Sequence, residues 1–255
     1  MSEWNSNQYI KFKNQRTQPS VDLISRIADM KPNRILDIGC GPGNSTYALA
    51  SAFPHSELIG IDSSEDMLKK AKDTYPEICF LNKNVPDELD TLQGNFDLIF
   101  SNACIHWIPD QKRLIKSVLN KMCVNGRFAV QIPLIQEAPF YRLLYSLFEE
   151  GKWRKLKDIQ NFHNLMPEEY YDLFVSLGVR FDMWQTNYYH IMDDHNSIIE
   201  WYKGSGLRPY IEALTPKESG ELIDALISGL KSQYKEQADK RIIFKMPRLF
   251  FIIYN

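Results

Sequence analysis

From residue 34 onward the apolar positions fall into short runs separated by longer stretches of helical period. Residues 35–38, 58–61, 78–81, 96–100 and 128–132 are strand-length apolar runs. Between them, residues 44–53, a segment with Met67, Leu68 and Ala71, and one with Leu114, Ile115, Val118, Leu119 and Met122 each keep one apolar face. Ser63, three residues before Asp66, is a capping-box signal for the middle helix. Helices that alternate with buried strands predict a parallel sheet covered on both faces.

The flanks read differently. Upstream, a polar and aromatic arm leads to Pro19, which is expected to open an amphipathic helix that Pro32 stops. Beyond Pro133 the alternation ends, and residues 139–175 read as helices dense in aromatics, such as Phe140, Tyr141, Phe148 and Phe174. These are expected to form a cap. Residues 183–192 and 249–254 supply two further strands, with a helix over 217–235 between them.

Composition narrows the function classes. The chain of 255 residues is 44% hydrophobic and 24% charged, as folded proteins are. Lys and Arg number 30 against 32 Asp and Glu, a formal net charge of −2, so no nucleic-acid partner is expected. Its apolar runs, such as 250–253, fall far below the roughly 18 residues of a membrane span. The first residues lack the apolar core of a secretory signal, and Cys40, Cys79, Cys104 and Cys123 are scattered without a C-x-x-C pair. A cytoplasmic protein without membrane segment, disulfide framework or metal site is expected. Oligomeric state is open, with a monomer the simpler expectation.

The first chemical signal is the loop from Asp37 to Asn44, Asp-Ile-Gly-Cys-Gly-Pro-Gly-Asn, between the first strand and first helix. Its glycines allow positive φ and a close ligand approach. The spacing is G-x-G-x-G rather than the dinucleotide G-x-G-x-x-G, and Pro42 removes an N–H that a pyrophosphate would use. No Lys-Ser/Thr follows, which excludes a P-loop. Asp37 would repel phosphate but could hold an amino group, directly or through water. Asp62, at the end of strand two, could accept two ribose hydroxyls, although a strand-terminal Asp is also a common helix cap. Together they describe a nucleoside that bears an amino acid, S-adenosylmethionine.

This loop, with Gly60-Ile61-Asp62, resembles the Rossmann-like S-adenosylmethionine-dependent methyltransferases over residues 34–133 and the final strand. The resemblance implies an α/β fold: a doubly wound, mostly parallel seven-stranded sheet with an antiparallel last strand and a helical cap. It divides the chain into an arm and helix over the cofactor (1–33), a cofactor-binding core (34–133), a cap insertion (134–182) and a C-terminal part of the sheet (183–255). Gly39, Cys40 and Gly41 would line the cofactor with Asp37, Asp62, Ser63 and Met67. Asn84 and Val85 would meet the adenine, Asn84 standing where the family usually has Asp. Ser101 and Asn102 would complete the set, and Arg16 would reach the methionine carboxylate.

For the acceptor, Ser101 to Asp110 follows strand four and should line the methyl-donor end. The run Trp201-Tyr202-Lys203-Gly204-Ser205-Gly206-Leu207-Arg208-Pro209-Tyr210, with Trp4-Asn5 and His106-Trp107, resembles the trans-aconitate methyltransferase family across nearly the whole chain. The reaction implied is esterification of a small polycarboxylic acid, a small anionic substrate. A carboxylate is already ionised at neutral pH and needs neither general base nor metal, so no catalytic residue is assigned beyond positioning groups. Arg208 is the first choice to bind a spare carboxylate, with Tyr9, His106, Trp107, Trp201 and Tyr210 around the acceptor. Each has a plain alternative: a surface position for Arg208, packing for Trp107, a backbone hydrogen bond for His106, an arm-to-core salt bridge for Arg16. Two other functions stay open, methylation of a different small acid or acceptor, since juvenile-hormone-acid-type enzymes look similar around His106-Trp107, and a donor-binding module without catalysis.

Overall fold

The computed structural model describes residues 13–149, 151–159 and 162–255. Seven strands, β1 (Arg34–Ile38), β2 (Glu57–Asp62), β3 (Cys79–Asn82), β4 (Phe96–Asn102), β5 (Met122–Pro133), β6 (Arg180–Met192) and β7 (Ile242–Tyr254), form one sheet in the order β3-β2-β1-β4-β5-β7-β6. Strands β1 to β5 pair in parallel, and β7 inserts antiparallel between β5 and β6. The near-continuous apolar run of β7 suits this interior place. The edge strand β6 instead alternates exposed and half-buried positions. The chain winds outward from β1 to β3 and then restarts at β4 on the other side of β1. This leaves a crevice beyond the carboxyl ends of β1 and β4, where ligands of open α/β sheets bind.

Helices cover both faces. On one, Leu23, Ile24 and Ile27 at the C-terminal end of α1 (Lys13–Ser25) and just beyond it join Leu49 of α2 (Asn44–Ala52) against Ile35, Leu98, Phe100, Ala129 and Phe250. α3 (Glu65–Thr74) buries Leu68 and Ala71 beside Phe80 of β3. On the opposite face of the sheet, α4 (Gln111–Asn120) places Leu114, Ile115 and Val118 over Ile99, Phe128 and Phe251.

A second core forms above the strand ends. α5 (Pro139–Glu149), α7 (His195–Lys203), α8 (Arg208–Glu212) and α9 (Pro216–Gln233) enclose Phe140, Leu144, Tyr202, Tyr210, Leu222 and Leu226 with Phe244 of β7. Each such ring or Leu side chain contributes about 1.5–3 kcal/mol by leaving water.

Three local details differ from the sequence expectations. The first helix runs through Pro19 instead of opening there; the imide removes one N–H bond, which helix α1 tolerates while its apolar side is buried. Ser64, not Ser63, caps α3, accepting from the Met67 N–H. The aromatic stretch expected as a single cap also divides. α6 (Pro167–Ser176) packs Tyr170 and Phe174 on the core sheet, while helices after residue 194 complete the cap. Among the described residues, no helix is long and apolar enough to cross a membrane.

Candidate functional site

A cavity of about 580 Å³ opens at the crevice, a size that suits a small-molecule site. Its floor is the loop between β1 and α2. Gly39 and Gly41 sit at φ +72° and +53°, where L side chains are strained. A Cβ on Gly39 would overlap the Cys104 side chain. One on Gly41 would meet nothing within 4 Å among the described residues, and Gly41 lines the cavity. The N–H groups of Gly39 and Cys40 donate to the Ile61 carbonyl at 2.8 and 3.0 Å, tying the loop to β2. Asp62 latches it further: one carboxylate oxygen accepts the Gly41 N–H at 2.9 Å, the other the Ser64 N–H at 2.8 Å. Burial raises the Asp62 pKa against the pull of these N–H groups. Each oxygen keeps acceptor capacity for a further hydroxyl.

Asp37 lies behind the loop, wholly buried and away from the cavity wall. One oxygen accepts the Ser45 and Thr46 hydroxyls at 2.8 and 2.7 Å, bracing the first turn of α2, while the other has no partner among the described residues. Burial pushes its pKa up to about 6 despite the two hydroxyls. An unsatisfied carboxylate oxygen beneath a bare glycine backbone fits a ligand that brings a cation to the loop. Cys40, Ser63, Met67, Asn84, Val85 and Asn102 line the same cavity, as expected from sequence. Ser101 does not. It is fully buried and donates to the Ile38 carbonyl at 2.9 Å, which joins β4 to β1.

Arg16, Trp107, His163, Ser205, Arg208 and Pro209 also line the cavity. Trp107 sits in a short turn, Ile105–Trp107, which the Gln111 amide holds by donating to the Ile105 and Ile108 carbonyls at 2.6 and 2.7 Å. Tyr170 donates to the other end of that amide at 3.2 Å, so α6 braces the turn. Arg208 starts α8, largely covered, with its Nε on Glu212 at 2.6 Å. Arg16 donates to the Trp201 carbonyl at 2.9 Å and lies 4.6 Å from the Trp201 ring centroid.

Three expected acceptor residues stand off the wall. His106 is 3% exposed and packs on Phe162, and its carbonyl accepts the His163 N–H at 2.8 Å. Burial, then the Arg248 charge, keeps its ring neutral. It thus positions His163 through the backbone. Trp201 is buried between Arg16 and His190, and Tyr210 packs on Phe148 with ring centroids 5.0 Å apart. Large rings in a dense cap have more to gain from packing than from a wall position. Tyr9 lies outside the described residues. Ser205 and Pro209, absent from the expected set, flank Arg208 within the same motif. His163 belongs to an aperiodic stretch that carries no signal.

Known proteins similar to this chain agree with the geometry. Residues 35–126 match the family described as "Methyltransferase domain". A trans-aconitate 2-methyltransferase of Rhodopseudomonas palustris is 34% identical over 255 residues, 99% of each chain. Those of Azoarcus sp. and Klebsiella pneumoniae are 34% and 32% identical over 99% of this chain, and 99% and 98% of their own. Among solved structures, the YcgJ protein of Bacillus subtilis superposes with a TM-score of 0.61 at 16% identity, covering 93% of this chain and 98% of its own. A Haemonchus contortus phosphoethanolamine N-methyltransferase in complex with S-adenosyl-L-methionine gives 0.55 at 19% identity, covering 93% and 52%. At such identities these two describe the fold alone.

Proposed function

The chain belongs to the trans-aconitate 2-methyltransferase family, and from this membership we propose that it esterifies one carboxylate of trans-aconitate with S-adenosylmethionine as donor. One observation carries the reading: one cavity is lined by the glycine loop, Asp62 and Asn84, by Arg16, expected at the donor's carboxylate, and by Arg208, expected at the acceptor. When bound, S-adenosylmethionine supplies an electrophilic methyl group on a sulfonium.

The residues present fit that donor. The Gly41 backbone admits the ligand, Asp37 offers charge to its ammonium group, Asp62 offers acceptor capacity to ribose hydroxyls, and Asn84 and Val85 flank the base. At the acceptor end the protein's work is positioning. A carboxylate of ordinary pKa near 4 is ionised at neutral pH, so no side chain has to remove a proton. Arg208 is preorganised beside Pro209, and its guanidinium can exchange Glu212 for a substrate carboxylate. Trp107, Ile108 and Pro109 keep water from that end.

The same apolar wall favours a second reading, a hydrophobic monocarboxylic acid as acceptor. Incubation with methyl-labelled donor and trans-aconitate tests the first. Base-labile label in a methyl ester is the expected product, and no labelled ester from any polycarboxylate would rule it out.

A further inference from the structure

Ahead of α6, the chain from Phe162 to Leu165 adopts no regular structure, yet contacts on three successive residues pin it in place. The His163 N–H donates to the His106 carbonyl at 2.8 Å. The Asn164 side-chain amide donates to the Pro133 carbonyl at 2.6 Å, and the Asn164 carbonyl accepts the Gln136 amide at 3.2 Å. The Phe162 ring packs on Trp107, Tyr141 and His106, with centroids 4.5, 5.2 and 5.5 Å apart. Gly206 completes its seat, since a Cβ there would overlap both the Phe162 ring and the Tyr141 hydroxyl. Ordering an irregular segment costs backbone entropy, which these contacts offset.

Their result is to hold one titratable side chain at the cavity. His163 is half-buried and lines it. Its surroundings assign it to the acceptor side. Phe162 bridges Trp107, in the turn that follows β4, and Gly206, in the turn that presents Ser205, Arg208 and Pro209 to the cavity. The glycine loop, Asp62 and Asn84 follow β1, β2 and β3, and β4 lies on the other side of β1 from β2 and β3.

An acceptor with two carboxylates to spare must regain in the cavity the hydrogen bonds it had in water. Several polar groups of the lining are engaged elsewhere: Lys83 pairs with Glu88 at 3.5 Å beside Asn84, and the Ser205 hydroxyl donates to the Trp201 carbonyl at 3.4 Å. The Arg208 guanidinium keeps N–H groups beyond its Nε bond to Glu212, and the His163 imidazole presents an N–H in either tautomer. Beside the Trp107 and Phe162 rings, an N–H bond to a carboxylate is stronger than in water. We propose that His163 is a specificity-determining residue that donates through its imidazole to a non-reacting carboxylate of the acceptor, alongside Arg208. The assignment rests on the carboxylate-methylating function proposed above.

The test uses the full-length protein loaded with S-adenosylhomocysteine, with trans-aconitate and crotonate titrated calorimetrically into wild type, His163→Ala and His163→Gln. Alanine removes the donor, and the glutamine amide restores one. His163→Leu carries the comparison if the alanine variant does not fold. Trans-aconitate affinity is expected to fall by about tenfold or more in His163→Ala and to recover to within about threefold of wild type in His163→Gln. S-adenosylhomocysteine and crotonate binding should be unchanged in both. Trans-aconitate affinity within twofold of wild type in His163→Ala overturns the assignment, as does a glutamine variant as weak as alanine or an equal loss for crotonate or S-adenosylhomocysteine. If wild type methylates trans-aconitate while His163→Ala binds it normally, only the role of His163 falls. If wild type neither binds nor methylates it, the functional reading falls and takes the assignment with it.

Discussion

Replacing Gly41 by Ala separates the fold from donor binding at the level of one methyl group. Gly41 sits at φ +53°, and an added Cβ would meet nothing within 4 Å among the described residues. The left-handed conformation costs a non-glycine residue about 1–2 kcal/mol, and the lower unfolded-chain entropy of Ala offsets about 0.4–1 of it. The net is about 1 kcal/mol, a fall in Tm of about 2–4 °C for a chain of this size. The methyl would stand where the bare backbone meets the donor, so S-adenosylhomocysteine affinity should drop by about tenfold or more, which is about 1.4 kcal/mol or above. Gly39→Ala makes the control. At φ +72° its methyl overlaps the Cys104 side chain, which adds overpacking of about 1–3 kcal/mol and a correspondingly larger fall in Tm. Thermal unfolding and calorimetric titration measure both effects. The reasoning is refuted if Gly41→Ala binds S-adenosylhomocysteine within twofold of wild type, or unfolds as early as Gly39→Ala.

Three further outcomes follow from the site. The Asp37 carboxyl titrates at about 6 in the folded protein, against about 3.9 in an unfolded chain. The fold thus holds that proton more tightly, and this group favours folding below about pH 4 and opposes it above about pH 6 by about 3 kcal/mol. Asp37→Asn should therefore unfold no earlier than wild type at pH 8 yet bind S-adenosylhomocysteine more weakly. In wild type that affinity should fall with pH below about 6, by at most about tenfold per unit; a flat profile from pH 5 to 8 would count against an ammonium near Asp37. Arg208→Ala should cut turnover of trans-aconitate by about 10–100-fold with S-adenosylhomocysteine affinity unchanged, and a loss confined to donor affinity would move Arg208 to the other end of the cavity. Tyr210→Phe should leave turnover near wild type because the ring packs on Phe148, whereas Tyr210→Ala should destabilise by about 3–5 kcal/mol; a tenfold rise in KM for Tyr210→Phe would instead put the hydroxyl on the acceptor.

Those elements legible in the sequence were those set by local rules. Six strands were located by apolar runs, because a buried strand has little freedom in composition, and β6 by its alternation; β5 and β7 begin at Met122 and Ile242, well before the runs read for them at 128–132 and 249–254. The antiparallel place of β7 was implied by family resemblance rather than by any pattern. At the donor end, the glycine loop and Asp62 were legible because their chemistry requires particular residue types at fixed spacing. Ser101 illustrates the limit: it sits beside Asn102, but strand alternation turns it to the other face and onto the Ile38 carbonyl. The acceptor end was less legible. Trp201 and Tyr210 lie in the same motif as Arg208, yet helices α7 and α8 rotate both rings into the cap core and leave Arg208, Ser205 and Pro209 on the wall. The place of His163 depends on its contact with His106, distant in sequence, and no local pattern encodes it.

The most direct test compares kcat/KM for trans-aconitate with that for a hydrophobic monocarboxylic acid of similar length, at one saturating concentration of S-adenosylmethionine. Two spare carboxylates, each worth about tenfold or more when met by guanidinium donors, predict a preference for trans-aconitate of about 100-fold or above, with the methyl group recovered as a base-labile ester. Equal or better turnover of the hydrophobic acid, or label recovered in a base-stable product, would contradict the account.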